Sequence, residues 1–334
     1  MKESDIRPQS LFNRYLEISK KDIERFFSDR SSFTDVVCPA CGKERYDFAL
    51  EKFGFRYVTC VDCGSLYLSP RPTPQMISAY YAESEAVKFW GTDFFKHTAE
   101  ARREKIFRPR AKLVKKWVEK FSDRLYKPEI FVDIGCGYGI FLEEVAKLNV
   151  FKDIVGIEPA PNLAAVCREK GFKILEKRAE DVLPLEIQAT FATAFEVLEH
   201  LYDPGQFLKA IFDLLHPGGV LLCTTLTVSG FDIQVLWEHS KSVYPPHHIN
   251  LLSVDGMERL IKRSGFELKE LSTPGELDVD IVLNTTAENK HINVPRFVQQ
   301  IIHPSNEEVK KNFQNFLKTN RLSSHLRVVA QRVS

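Results

Sequence analysis

The chain has 334 residues, 44% of them apolar, and its 46 lysines and arginines stand against 45 acids. That is enough apolar chain for one large core plus a smaller module, and a net charge near zero excludes a surface built to neutralise many phosphates, which sets nucleic-acid partners at a discount. The polar start MKESDIRPQS lacks the apolar stretch of a secretory signal and no uncharged run is long enough to cross a bilayer, so no membrane association and a cytoplasmic location are expected. Seven cysteines are too few for a disulfide scaffold, so clustered ones read as metal ligands.

Leu11, Phe12, Tyr15, Leu16 and Ile18, then Ile23, Phe26 and Phe27, recur at helical spacing and predict one or two amphipathic helices within residues 1–35. Residues 36–72 carry two turns, Cys38-Pro-Ala-Cys41-Gly and Cys60-Val-Asp-Cys63-Gly, among short β-prone stretches. Four thiolates at this spacing suit tetrahedral Zn2+, and no histidine or acid leaves an open coordination position, so a closed structural zinc site is expected. Neither pair opens a helix after a strand, which argues against redox chemistry. Cys136, Cys167 and Cys223 lie in apolar contexts and read as small core residues. Pro70, Pro72 and Pro74 end regular structure and mark a linker.

Residues 73–107 are expected to form a helical linker or cap, within a helical pattern that runs from Ile77 to Lys120. Its basic face, Arg102, Arg103, Lys105, Arg108, Arg110, Lys112, Lys115 and Lys116, reads as solvated, with an anionic ligand as the alternative. Beyond Pro128 short apolar strands alternate with amphipathic helices. Strands are predicted at 130–133, 153–158, 172–175, 190–195 and 219–226, and helices at 141–148, 163–170 and 204–215. A helix at 254–264, a strand at 266–272, a helix at 306–319 and a strand at 324–331 follow. Pro217-Gly218-Gly219 reads as the turn before the fifth strand. This rhythm predicts an α/β domain over 108–334, a doubly wound, Rossmann-like parallel sheet covered on both faces, with 276–323 inserted before the last strand.

The strongest chemical signal is Asp133-Ile-Gly135-Cys136-Gly137-Tyr-Gly139, where a strand runs into a glycine turn and then a helix. Glycines there let backbone approach a ligand, and the helix start points amide hydrogens at it, as in nucleotide sites of doubly wound folds. The spacing is Gly-x-Gly-x-Gly rather than the Gly-x-Gly-x-x-Gly of dinucleotide sites. Asp133 would repel a pyrophosphate but would accept a hydrogen bond from the amino group of a methionine moiety. Glu158, at the end of the second strand and before Pro159, is positioned for both ribose hydroxyls, and so fits either kind of cofactor.

Together with Glu196-Val-Leu-Glu199-His200 and Leu215-His-Pro-Gly-Gly219, the glycine turn resembles the class I methyltransferases over roughly residues 108–334. The resemblance implies a methyltransferase sheet, S-adenosyl-L-methionine as methyl donor and an enzymatic function. It puts Glu180 and Asp181 beside the adenine and Phe195 and Glu196 along the methionine. By motif position, Gly135, Cys136, Gly137, Gly139, Pro159 and His200 join the cofactor-contacting set. His200 itself reads more readily as a helix-start or packing residue than as a base.

Past the fifth strand lies Tyr244-Pro-Pro-His247-His248-Ile-Asn-Leu-Leu-Ser253, where this fold carries its substrate lid. Similarity to zinc-bearing sugar methyltransferases implies that a histidine just before a Ser-capped helix is the base, which His248 matches best, then His247, with Tyr244 alongside. The plainer alternative is that one histidine caps the helix at Ser253 while the other is solvated. Those sugar enzymes carry an additional C-terminal domain where this chain has only the 276–323 insertion. The expected activity is O- or C-methylation of a small molecule or a sugar or glycan precursor. An RNA methyltransferase is a second reading, opposed by neutral charge and the lack of an Asn/Asp-Pro-Pro-aromatic motif. A non-catalytic docking protein is a third, opposed by the intact cofactor motifs.

Overall fold

The computed structural model describes residues 2–121, 129–184 and 186–333. The chain opens with α1 (Glu3–Ile6) and α2 (Gln9–Phe27), then β1 (Tyr46–Lys52), β2 (Phe55–Cys60) and β3 (Leu66–Leu68). Helices α3 (Pro74–Glu83), α4 (Glu85–Phe89), α5 (Phe95–Arg102) and α6 (Arg108–Phe121) follow, with wide π-type turns at Trp90–Phe94 and Arg103–Phe107. The predicted helical run is therefore real but segmented. Thr73 caps α3 by accepting from the Met76 amide, and the Ser84 hydroxyl caps α4 through the Val87 amide. In α6 the buried residues Ala111, Val114, Trp117, Val118 and Phe121 recur on one face, which packs on the core of the large sheet.

The large domain begins at β4 (Ile130–Ile134) and continues through α7 (Ile140–Ala146), β5 (Asp153–Ile157), α8 (Pro161–Glu169), β6 (Lys173–Leu175), β7 (Ala189–Phe195), α9 (Pro204–Leu214) and β8 (Leu215–Leu226). After α10 (Phe231–Leu236) come β9 (Asn250–Leu251), α11 (Val254–Arg263), β10 (Phe266–Ser272), α12 (Asp278–Glu288), α13 (Arg296–Ile302), α14 (Glu307–Thr319) and β11 (His325–Arg332). The sheet order is β10-β11-β8-β7-β4-β5-β6. Strands β4 to β8 pair in parallel, whereas β11 runs antiparallel to both β8 and β10. The sheet is thus mixed, which corrects the all-parallel expectation: β11 enters from the opposite end after the inserted helices α12 to α14. Strand order reverses around β4, whose neighbours are β5 and β7, so a crevice opens at the carboxyl ends of β4 and β7. No helix among the described residues is long and apolar enough to cross a membrane.

Two local expectations change. Pro217-Gly218-Gly219 is not a turn ahead of a strand but lies inside β8: Leu215 pairs with Ala189 and Val220 with Phe191, so the residues between them bulge out. The proline-rich linker holds Arg71, a fully buried side chain that donates to Leu68 O, Tyr202 O and Asn250 Oδ1, and whose backbone bridges to Thr34. The expected boundary near Pro128 falls outside the described residues.

A small second sheet, β1-β2-β3-β9, carries the cysteine turns. Its last strand comes from the large domain, where Leu251 pairs with Leu66 and Asn250 with Tyr67. The Ser253 hydroxyl caps α11 through the Gly256 amide and donates to the carbonyl of Cys63. The cysteine turn is thereby fastened to the segment that follows the two histidines.

Candidate active site

At the crevice the backbone is as the glycine pattern requires. Gly137 and Gly139 have φ of 54° and 69°, the left-handed region that costs other residues energy. A β-carbon on Gly139 would lie 2.9 Å from Cys167 Sγ, whereas one on Gly137 would meet nothing within 4 Å. The open space beside Gly137 is what an adenosyl group needs. The Gly137 amide donates to Glu158 Oε2 at 2.9 Å and the Ala160 amide to Oε1 at 3.0 Å. Each carboxylate oxygen keeps a lone pair for a ribose hydroxyl. Burial raises the Glu158 pKa, and these two amide bonds oppose the shift.

Asp133 is buried at the end of β4, accepts from Thr193 Oγ1 at 2.7 Å, and is pushed by burial up to about 7. Glu196, just past β7, has φ of 55°, and its Oε1 gathers Arg110 Nη2 at 2.5 Å, Thr224 Oγ1 at 2.7 Å and His325 Nε2 at 2.9 Å. Burial favours its neutral form, but the charges of His325 and Arg110 hold it ionised, well below the usual range. The ring of Phe195 lies under the Arg110 guanidinium at 4.5 Å. Asp133, Gly135, Cys136, Gly137, Gly139, Glu158 and Glu196 therefore sit at adjoining strand ends. Pro159 is exposed beside them. Of the adjacent acids in the turn Ala179–Asp181, Asp181 is exposed and forks onto Arg178 at 2.8 and 2.9 Å, while Glu180 is half-buried.

The opposite wall holds three histidines. His248 Nδ1 donates to Ser242 O at 2.6 Å and His200 Nδ1 donates to His247 O at 2.8 Å, since a carbonyl can only accept. Both rings then keep an Nε2 lone pair, and their centroids are 5.0 Å apart. Burial lowers both pKa values, that of His248 to about 3. Glu199 joins them, accepting from Thr225 Oγ1 at 2.7 Å and raised by burial to about 8. One atom from each of Glu199, His200 and His248 lies within 4.8 Å of the others, so the three could also hold a metal ion. His247 is turned away: its Nε2 pairs with Tyr80 Oη at 2.6 Å. Tyr244 donates to Leu16 O at 3.3 Å, so its hydroxyl ties the loop to α2. Neither histidine caps α11, which uses Ser253 itself, and neither is solvated: His247 is buried and His248 half-buried.

Sequence reasoning missed Tyr15, Tyr80 and Tyr81, which the fold packs around His247 at ring distances of 5.6, 5.2 and 6.2 Å. Their only local signal was membership of apolar helical faces. Contact with a histidine 167 positions away is invisible in such a pattern.

The four sulfurs of Cys38, Cys41, Cys60 and Cys63 lie within 4.8 Å of one another, with Cys38 and Cys63 at 3.6 Å and Cys41 and Cys60 at 3.5 Å. Tetrahedral zinc thiolates have sulfurs about 3.8 Å apart, so the donor set fits the ion in kind and spacing.

Residues 103–271, just over half the chain, match the sequence profile of a family described as methyltransferase domain. The chain belongs to that family. A ubiquinone biosynthesis O-methyltransferase of Cereibacter sphaeroides is 37% identical over 175 residues, 46% of this chain and 70% of that protein. One of Ruegeria pomeroyi is 29% identical over 175 residues, with 46% and 69% covered. Among solved structures, the plantazolicin methyltransferase BpumL in complex with SAH superposes with a TM-score of 0.50 at 12% identity, covering 77% of this chain and 94% of that one, a likeness of fold. The protein is an S-adenosylmethionine-dependent methyltransferase. Residues 1–102, with the cysteine module, lie outside the matched segment.

Proposed function

We propose that this methyltransferase methylates a hydroxyl oxygen of a small molecule, with His248 as the base. S-adenosylmethionine supplies an electrophilic methyl group whose sulfonium leaves without help, so the protein has to align the acceptor and take its proton. The observation that carries the reading is the His248 ring: Nδ1–H pinned on Ser242 O, Nε2 left as acceptor, and close enough to Glu196 for that charge to bear on it. The ubiquinone-biosynthesis names of the relatives favour oxygen as the methylated atom. A sugar or glycan-precursor hydroxyl and a phenol are both acceptors of this chemistry.

In this reading Asp133 accepts from the cofactor's amino group, Glu158 takes the ribose hydroxyls, Phe195 and Glu196 line the methionine, and Glu180 or Asp181 borders the adenine. Gly135, Cys136, Gly137 and Gly139 cradle the cofactor, with Pro159 and His200 at its edge. His247 and Tyr244 hold the loop that carries His248. Cys38, Cys41, Cys60 and Cys63 bind a structural Zn2+ in residues 36–72, between the helices of 1–35 and the cap of 73–107; the catalytic domain occupies 108–334. Such thiolates suit a reducing compartment such as the cytoplasm.

The test is turnover of a hydroxyl acceptor by His248→Ala beside binding of S-adenosylhomocysteine. A kcat lower by about 100-fold or more, with cofactor affinity within about twofold, is expected. Unchanged turnover would sink the assignment of His248.

A further inference from the structure

The expected basic face does not survive as one surface. Arg103 is tied to Glu143 and Glu144 and Arg108 to Glu104 and Glu144, while Lys112, Lys115 and Lys116 face solvent. Arg110 instead turns to Glu196 at the crevice, and Arg102 lies near enough to Arg110 and to Arg7, the residue after α1, for both charges to bear on it. The Arg102 guanidinium lies 5.6 Å from Trp90, 5.8 Å from Phe94 and 5.6 Å from Phe95. Its Nη2 donates to Ile6 O at 3.2 Å, beside Arg7, and its Nε to Thr98 Oγ1 at 3.1 Å. Trp90 in turn packs 4.9 Å from Tyr15, and Tyr15 packs 5.6 Å from His247. Two aromatic rings, Trp90 and Tyr15, thus separate Arg102 from the histidine loop.

Charge is unbalanced here. Arg110 has Glu196, but neither Arg7 nor Arg102 has a carboxylate within 4.0 Å among the described residues. Arg102 is lowered to about 10, first by burial and then by the charges of Arg7 and Arg110, and Arg7 also bears on His248. Asp133 and Glu199 are raised toward their neutral forms, so they offset little of this charge. Guanidinium groups brought together with donors to spare are suited to a multi-oxygen anion, which they can fork. Their half-buried setting leaves them reachable.

We propose that Arg7 and Arg102 form an anion subsite of the acceptor pocket, so that the acceptor carries a carboxylate or phosphate group on the side of the molecule away from the methylated hydroxyl. The inference rests on the histidine wall being the acceptor side. It makes the N-terminal helix α1 part of the substrate site and gives the rings of Trp90 and Tyr15 the apolar body of the acceptor to pack on.

The test titrates the full-length, zinc-loaded protein, saturated with S-adenosylhomocysteine, with inorganic phosphate and separately with benzoate, followed by calorimetry. One of the two is expected to bind, identifying the group, and Arg7→Met and Arg102→Met each to weaken it by about tenfold. Arg102→Lys, which keeps a charge but loses the fork, is expected to fall between. S-adenosylhomocysteine affinity stays unchanged in all three. No binding of either anion, or equal binding by wild type and both methionine variants, overturns the subsite. So does a tenfold loss of S-adenosylhomocysteine affinity in Arg102→Met, which would give the arginines to the cofactor's own carboxylate. Failure of the wild type to bind S-adenosylhomocysteine at all would instead remove the methyltransferase reading beneath it.

Discussion

The two walls of the crevice are built in different ways. The wall proposed to hold the cofactor is made of short contiguous motifs at the ends of adjacent parallel strands: Asp133 to Gly139 after β4, Glu158 after β5, Glu196 after β7. The wall proposed to face the acceptor is assembled from the segment after α1, α2, the helical cap and the loop before β9, residues as far apart as Arg7 and His248. The first wall is fixed by backbone geometry, because a strand end and a glycine turn position their own side chains. The second depends on packing, and above all on β9, which the cysteine module's β3 grips just after His248. A module that looks like an appendage therefore packs directly behind the loop of His248: Tyr57 Oη donates to His248 O at 2.6 Å and the Leu68 amide to Ile249 O at 3.0 Å.

If that contrast holds, damage to the module should spare cofactor binding and abolish turnover. Cys60→Ser, or zinc stripped by a chelator, is expected to cost about 3 kcal/mol or more of stability in denaturant melts. At temperatures where the catalytic domain stays folded, methyl transfer should fall much further than S-adenosylhomocysteine affinity. Equal losses of both would erase the distinction between the walls.

The cofactor wall is probed by Asp133→Asn, which removes one charge-assisted hydrogen bond and is expected to weaken S-adenosylhomocysteine by about tenfold. Its pH dependence sharpens the point. Burial raises Asp133 to about 7, so the carboxyl is neutral below that pH and a carboxylate above it. Affinity for the amino-bearing ligand should then rise by about tenfold from pH 6 to pH 8. Calorimetry at the two pH values checks this, and the slope should flatten in Asp133→Asn; an undiminished slope would assign the titration to another group.

The smallest effect is expected at Tyr80→Phe, which leaves buried His247 Nε2 without its partner. A loss of about 1 kcal/mol of stability and a few-fold change in turnover are expected, with cofactor affinity untouched. A collapse of turnover comparable with that of His248→Ala would move the base to His247.

The placement of the glycine turn and its neighbouring acids at adjoining strand ends was largely legible in the sequence. Gly-x-Gly-x-Gly behind Asp133 and the acid at Glu158 constrain backbone and charge locally, and two Cys-x-x-Cys turns need only a short loop to converge. The helix starts were legible as well: Asp203 caps α9 through the Gly205 and Gln206 amides, with Pro204 at its first position. Less legible was the bulge inside β8, because Pro-Gly-Gly is as good a turn as a bulge until a neighbouring strand sets the register. Helices α12 and α13 were missed altogether, being short and poorly periodic, and so was β9, whose two residues become a strand only by pairing with β3.

By itself, then, the sequence determined the doubly wound core, the cysteine cluster and the glycine turn with the acids at its strand ends, since each is dictated by residues close together in the chain. Only the tertiary structure decided which histidine keeps a free Nε2, which arginines face the crevice and which solvent, and that the cysteine module carries the strand beside His248. Those choices depend on hydrogen-bond partners and charges brought together by packing over more than a hundred residues, and no local pattern encodes them.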